Sequence, residues 1–463
     1  MNEIVMRFYF VNFHYPNSYS EAISNMPVGP GYVLEAVEQQ GIPTRYWEYS
    51  LMPDVDKLLT DIKEFAPTLI GCSFYSHHYT TSYSIINRLV DTGIPVVCGG
   101  VHVNITGSGV LEDTQSSFLI IGEGEESLPL LIKNIDDPSK YSEIPGLVYR
   151  NPENGKIQQN PKIPLNLSKV SYPKYQAFNT DNYTQKSRFI LSSRGCPYAC
   201  TFCSMSSLLS KKWRARPSEH IISEMEHWAQ QGHTKFTFID DNLTLDIERI
   251  KQLCRLIAKS PFEYDLTSSG VRINNVTFEV LQMMRDCGFN YLSFGIESGN
   301  DRVLEEIKKG ITLKQIHRTM EMVCKLNFGV KLYFIVNNRT ETYQEARDSF
   351  LLSRRYPIHV ARFSNLVPYP GTYDYDWIRE NARLLYEPED YLNRLDEFRT
   401  QPLYDGPGMA IEERIQIIKD AQVEVKRFQP RLSSKIERVY KMIKRKEFRL
   451  LFQKIKSKIL TPK

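Results

Sequence analysis

The chain has 463 residues, 41% of them hydrophobic and 24% charged, with a net charge of +4. These values suit a globular protein of two or three domains and exclude a disordered or low-complexity chain. No run approaches the ~20 apolar residues that span a bilayer, and the start lacks the basic flank and cleavage site of a signal peptide. Three of the eight cysteines are clustered and the rest scattered, which argues for a reducing, cytoplasmic setting rather than a disulfide framework.

Residues 1–145 alternate strand and helix. IVMRFYFVNF (4–13), TRYWEYS (44–50), TLIGCSFYS (68–76), PVVCGG (95–100) and FLIIGEGE (118–125) read as strands with their loops. GPGYVLEAVEQQG, DVDKLLTDIKEFAP, TTSYSIINRLVDTG and ESLPLLIKNI read as helices between or after them. That alternation predicts a doubly wound parallel sheet whose ligand lies over the carboxyl ends of the strands. Residues 146–185 break the pattern: an Asn-Gly hairpin is followed by a Pro-rich linker.

A second series occupies 186–376. Strands are expected at RFILSS, KFTFID, EYDLTSSGV, YLSFGIES, VKLYFIV and VARFSNLVP, with helices between them. Six such units make a partial (β/α) barrel with its site at the carboxyl ends of the strands. From 377 to 463 the pattern is helical and polar. Its last stretch, 431–463, carries twelve Lys or Arg against two Glu. A solvated terminal helix, a membrane-surface helix and a nucleic-acid patch all suit that tail, and nucleic acid is the least expected of the three.

The first strand of the second series runs into SSRGCPYACTFCS (192–204), with Cys196, Cys200 and Cys203 spaced three and two residues apart. A zinc site and an iron–sulfur cube each want four ligands. Cys254, Cys287 and Cys324 fall in helical patterns, and Cys72 and Cys98 on strands of the other domain. All five suit buried apolar positions better than ligation. The fourth metal position is therefore expected to go to a non-protein ligand, the competing reading being a zinc knuckle with a distant fourth ligand.

This stretch, with Phe202 between the last two cysteines, resembles the CxxxCxxC loop of the radical S-adenosylmethionine (SAM) superfamily. Other segments share the resemblance: FTFIDDN (236–242) with Asp240 and Asp241, SSGVRINN (268–275) with Ser269 and Arg272, FGIESGNDRVLEEIKKGIT (294–312) with Glu297, Ser298 and Lys309, and VPYPGT (367–372). The resemblance implies a 4Fe–4S cluster on the three cysteines and SAM on its open iron. Glu297 would meet the ribose or amino group, and Lys309 the substrate side. One segment departs from the pattern. Where the family has a GxPGET turn, this chain has VNNRTETYQE (336–345), with only Glu341 and Thr342 matching and Arg339 where Gly or Pro is expected. Asn tolerates positive φ and can replace Gly there.

The strand-end loops of the first domain, with Gly31, Ser73, Tyr75, Ser76, Gly99, Gly100, His102, Gly122, Glu123, Gly124 and Glu125, resemble those of the cobalamin-binding domain found in one class of that superfamily. NFHYPN (12–17) is a degenerate echo of a cobalt-ligand loop, with His14 the candidate; without it the cobalt would have no protein ligand. The resemblance implies one-electron reduction of the cluster by a flavodoxin or ferredoxin and reductive cleavage of SAM to a 5′-deoxyadenosyl radical. Methylation of an unactivated carbon of a small-molecule, lipid or natural-product substrate would follow. Alternatives are radical cyclisation, rearrangement or oxidation, a non-catalytic cobalamin or redox sensor, and a tRNA methylthiotransferase. The last needs a second cluster, for which Cys72 and Cys98 are too few.

Overall fold

A computed structural model describes residues 6–14, 26–183, 187–204 and 212–428. The first sheet contains β1 (Phe8–Phe13), β2 (Thr44–Glu48), β3 (Leu69–Phe74), β4 (Val96–Gly99), β5 (Phe118–Ile120), β6 (Leu147–Arg150) and β7 (Ile157–Gln159), in the order β2-β1-β3-β4-β5-β6-β7. Its first five strands are parallel. The order reverses direction beside β1, so a crevice opens over the carboxyl ends of β1 and β3. β1 is buried at every residue, as a parallel strand covered on both faces must be.

The Asn-Gly hairpin belongs to this sheet. β6 pairs antiparallel with β5, Phe118 facing Tyr149, and β7 with β6. The expected boundary at 145 thus falls inside one continuous sheet. The Pro-rich segment after it is also packed. Tyr175 and Phe178 meet edge to face at 5.0 Å, and Phe178 lies 4.0 Å from the Tyr46 ring of β2. Through these two residues one apolar core runs unbroken from Phe8 and Phe10 to Trp228 and Phe236 of the second domain.

The second domain is a six-stranded parallel sheet: β8 (Arg188–Ile190), β11 (Lys235–Phe238), β12 (Asp265–Val271), β13 (Phe289–Glu297), β14 (Gly329–Val336) and β15 (Val360–Asn365). These lie in sequence order, and β8 and β15 do not pair with each other, so the barrel is partial. Its helices are capped as the sequence dictates. Asp246 accepts from the Arg249 N–H, and Thr312–Gln315 and Thr342–Glu345 form capping boxes. Along β14 alternate residues are buried. Val330, Leu332 and Phe334 join the core under the helices, leaving Lys331, Tyr333 and Ile335 on the inner face.

The region expected to be helical after 377 also holds a two-stranded pair, Arg383–Leu384 with Tyr404–Asp405. Its long helix, Ile411–Arg427, packs on β15 and on helix Tyr343–Arg355. The basic tail lies outside the described residues. Among the described residues no helix is long and apolar enough to cross a membrane.

The two domains meet through buried polar contacts. Tyr32 receives a 2.8 Å hydrogen bond from Arg216, whose guanidinium also lies 2.6 Å from Glu224. Arg216 and Glu224 are each only 2% exposed. Removing one partner of such a pair leaves a buried charge uncompensated. Glu224→Ala is therefore expected to cost about 3–5 kcal/mol, read as a lowered midpoint of urea unfolding. A midpoint within experimental error of the parent would refute it.

Candidate active site

The cysteine loop is clasped at both ends. Ser193–Arg194 (β9) pairs antiparallel with Arg214–Ala215 (β10), with Arg194 facing Arg214. Both guanidiniums grip Glu123 of the first domain, at 2.8 and 2.7 Å, and Arg194 also holds Glu125 at 2.6 Å. Burial would raise the Glu123 carboxyl, but Arg214 and Arg194 outweigh it and hold it below the usual range. Glu123 and Glu125, expected to meet a corrin, thus spend their carboxylates on the domain junction, although both border the cavity described below.

Inside the clasp, Gly195 turns at φ +84°, a left-handed conformation suited to glycine. Its N–H donates to Asp241 at 2.9 Å, and Asp240 accepts from Ser192 and Ser193 at 2.7 and 2.5 Å. The two acids expected near the SAM amino group therefore anchor the root of the loop. The middle of the loop is tied from below. The Thr201 N–H donates to Ile307 O at 3.0 Å, and the Asp374 N–H donates to Thr201 O at 3.1 Å. The Arg339 guanidinium lies 2.8 Å from the Asp374 carboxylate and donates to Glu306 O. The residue that departs from the family turn thus braces the cysteine loop. The preceding Asn337 supplies the left-handed turn itself, at φ +62°.

Cys196, Cys200 and Cys203 are half-buried, and burial pushes the Cys196 thiol up. Among the described residues no three His, Cys, Asp or Glu side chains gather as ligands of one metal ion. Thiolates bound to different irons of one cluster need not converge on one metal ion. Three soft donors on a braced loop at a strand end fit an iron–sulfur cluster with one iron open. The remaining cysteines are placed as expected of apolar residues. Cys72 and Cys98 face each other across β3 and β4, buried. Cys254 and Cys287 are buried, and Cys324 is half-buried.

Facing the loop, Glu297 ends β13 with φ +70°, an uncommon conformation for a non-glycine residue. Its carboxylate accepts from Lys309 Nζ at 2.8 Å. A Cβ on Gly295 would lie 2.4 Å from that carboxylate, so the glycine makes room for the pair. Arg272 stacks 3.4 Å over the Tyr198 ring of the cysteine loop and donates to Lys309 O. Phe202 and Glu297 border a shared cavity. Ser269 donates to Phe238 O, while Ser298 is fully buried and accepts from the Asn300 N–H, a turn contact.

Three cavities run in a row. The first, about 320 Å³, lies between the domains. It is floored by Gly71, Ser73, Gly99, Gly100 and Gly122 and closed by Leu191, Arg194 and Asp241. A Cβ at Gly29 would meet nothing within 4 Å, and one at Gly99 or Gly122 only a single neighbour beyond 3.6 Å. Side chains there would fill the cavity, so the glycines form an open cradle for a large planar ligand or its tail. The second cavity, about 290 Å³, shares Tyr75 with the first and touches His14, Ser76, His77 and Ser204. The third, about 800 Å³, shares Tyr369 and Arg399 with the second and occupies the inner face of β14 and β15.

Several expected corrin contacts lie elsewhere. Gly31 is not on the first cavity; a Cβ there would lie 2.6 Å from the Tyr175 ring, so its role is packing. His102 is 3% exposed. One ring nitrogen is 3.0 Å from Ser76 and the other 2.9 Å from Tyr83, and the ring stacks on Tyr79. Burial lowers it to about 4, so it is a neutral core histidine that also occupies Ser76. Gly124 packs on Val33 at the cavity edge. Tyr75, 48% exposed, stands between the first two cavities.

Family models match at these same places: B12 binding domain over residues 25–132 and Radical SAM superfamily over 190–352. The chain belongs to the radical SAM enzymes that carry a cobalamin-binding domain. Their cofactors are a 4Fe–4S cluster, SAM and cobalamin. An uncharacterized methyltransferase of Pyrococcus horikoshii is 28% identical over 396 residues, 81% of this chain and 85% of that protein. Cytidylyl-2-hydroxyethylphosphonate methyltransferase of Streptomyces wedmorensis is 23% identical over 453 residues, 84% of each chain. The solved radical SAM methyltransferase TsrM of Kitasatospora setae, with cobalamin and a 4Fe–4S cluster bound, superposes with a TM-score of 0.70 at 16% identity. The match covers 92% of this chain and 89% of that one, and at this identity the likeness is one of fold.

Lys331 and Arg362 were not legible as cavity residues, since a strand's inner face cannot be told from its outer face by composition alone. Glu341, one of the two matched turn residues, is fully buried and accepts from the Asn338 N–H at 3.0 Å. Burial pushes it up to about 7 from its ordinary 4.5. The folded chain then keeps a proton that the unfolded chain releases near 4.5. This contribution is greatest below that value and is lost as pH rises towards 7, on the order of 3 kcal/mol. Glu341→Gln should flatten the dependence of thermal stability on pH across this window. A slope identical to that of the parent would overturn the assignment.

Proposed function

We propose that this protein is a cobalamin-dependent methyltransferase that methylates an unactivated carbon of a small-molecule, lipid or natural-product substrate. The carrying observation is the row of three cavities. A glycine cradle between the domains leads past the end of the cysteine loop to a large pocket inside the barrel. When bound, the cluster with SAM supplies a hydrogen-abstracting radical, and cobalamin supplies a methyl group.

The chain's own part is to hold and orient. Cys196, Cys200 and Cys203 would carry the cluster, braced by Asp241 above and by Arg339 with Asp374 below. Glu297, held by Lys309, turns a carboxylate towards the pocket, where it can accept from two hydroxyls of a ribose. Arg272 and Ser269 stand on the same mouth. Gly29, Gly99 and Gly122 would admit the cobalamin tail, whereas a Cβ at Gly100 would meet Ser73 and Phe74, so that glycine serves packing. His102 would not ligate cobalt, since both its ring nitrogens are engaged. Phe202 narrows the mouth and keeps water from the reacting carbon. A flavodoxin or ferredoxin would deliver the electron.

Anaerobic reconstitution with iron, sulfide and hydroxocobalamin tests this reading. The holoprotein should show cobalamin absorption and, with dithionite, form 5′-deoxyadenosine. Cys200→Ala should reduce 5′-deoxyadenosine to background; continued formation by that variant would defeat the cluster assignment. With substrate, the product should gain the mass of one CH2 unit, a methyl group standing in place of the abstracted hydrogen. Turnover without that gain would indicate cyclisation, rearrangement or oxidation. Absence of SAM cleavage even with dithionite would indicate a sensor.

A further inference from the structure

Four of the cations already placed around the cysteine loop meet a carboxylate. Arg194 and Arg214 share Glu123, Lys309 has Glu297 at 2.8 Å, and Arg339 has Asp374 at 2.8 Å. Arg272 does not. Its hydrogen-bond acceptors are neutral: Nε donates to Asn274 Oδ1 at 3.0 Å, and Nη2 donates to the Lys309 carbonyl. Among the described residues no carboxylate lies within ion-pair distance of it. Yet the residue is only 8% exposed.

The surroundings of Arg272 fix where its charge stands. Gly310 turns at φ +67°, and a Cβ there would lie 3.2 Å from the guanidinium, so this glycine makes room for it. On its other side the guanidinium lies 3.4 Å over the Tyr198 ring, and the Tyr198 hydroxyl donates to Asn275 at 3.2 Å. Tyr198 stands midway between Cys196 and Cys200. The positive charge is therefore held against the part of the loop between the first two cysteines. A buried cation with only neutral partners is costly. Three thiolates on an iron–sulfur cube make a net negative group, and reduction makes it more negative by one unit. The potential of such a cluster follows the charge around it, so a fixed cation nearby favours the reduced form.

We propose that Arg272 is a positioning residue for electron uptake: its guanidinium is the counter-charge of the cluster on Cys196, Cys200 and Cys203, and it holds the cluster's reduction potential up. The residue acts through its charge and through the Tyr198 side of the loop, and makes no bond to the reacting atoms. The electron itself comes from the flavodoxin or ferredoxin, or from dithionite in vitro. This rests on the cluster assignment made above, but its test reads a potential and needs no methyl transfer.

The full-length protein and its variants are loaded anaerobically with cluster and cobalamin. Without SAM, the EPR signal of the reduced cluster is followed against applied potential, with dithionite as reductant. SAM affinity is measured in parallel by equilibrium dialysis. At the potential where the parent cluster is half reduced, Arg272→Met should show a reduced-to-oxidised ratio about tenfold lower, a downward shift of about 59 mV for one electron. Arg272→Lys keeps the charge without the planar stack and should stay within about threefold of the parent. Arg272→Gln is the neutral variant should Arg272→Met take up no cluster. An unmoved potential in the loaded neutral variant would overturn the proposal. An equal fall in Arg272→Lys would also overturn it, by making the residue a structural brace alone. Weakened SAM binding with the potential unmoved would overturn it by assigning the guanidinium to the SAM carboxylate. A parent that takes up no cluster would overturn both this proposal and the cluster assignment. Failure to methylate any substrate, with the shift in potential intact, would count against the methyltransferase reading and leave this one standing.

Discussion

The structure depends on one carboxylate shared by two guanidiniums. Glu123 sits at the end of the first domain's last parallel strand. Arg194 and Arg214 are the two ends of the cysteine loop, drawn side by side by the β9–β10 pair. All three are largely buried. A buried ion pair often adds little net stability over an apolar substitute, but breaking one is costly. Its effect here is geometric: it fixes where the cysteine loop stands relative to the glycine cradle. Glu125 on Arg194 and Tyr32 on Arg216 extend the same seam. Together with the aromatic plug of Tyr175 and Phe178, they make two alternating β/α series into one body with a shared core.

How much of this could be read in the chain follows from what each feature requires. The cysteine spacing and the segment around Glu297 were legible because cluster chemistry and the tight turn at Glu297 demand particular residues at fixed intervals. The two parallel β/α series followed from the alternation of strand and helix, but not the joining of β6 and β7 to the first sheet. Less legible were positions whose meaning depends on a neighbour distant in sequence. Gly31 looks like a ligand-loop glycine, yet it makes room for the Tyr175 ring. His102 looks like a cofactor histidine, yet it is consumed by Ser76 and Tyr83. Asp240 and Asp241 look like ligand acids, yet both bond to the root of the cysteine loop. Lys331 and Arg362 were invisible because their strands read as buried runs, and only pairing and packing identify the inner face.

Arg339 shows how a departure from a family pattern acquires a cause. A glycine-rich turn would need no side chain. This chain instead turns on Asn337 and uses the next positions for support, with Arg339 reaching Asp374 and Glu306. Asp374 in turn holds Thr201, between the second and third cysteines. The turn has exchanged backbone freedom for a brace, and helix Tyr373–Asn381, which carries Asp374, has become part of the cysteine loop's foundation.

Asp241 has a further consequence. One carboxylate binds the turn at Gly195 and also faces the cavity between the domains. Anything that orders this side chain from the cavity side lowers the cost of ordering the cysteine loop, and the converse holds to the same extent in free energy. Any coupling that this side chain carries between the cavity and the cysteine loop acts equally in both directions.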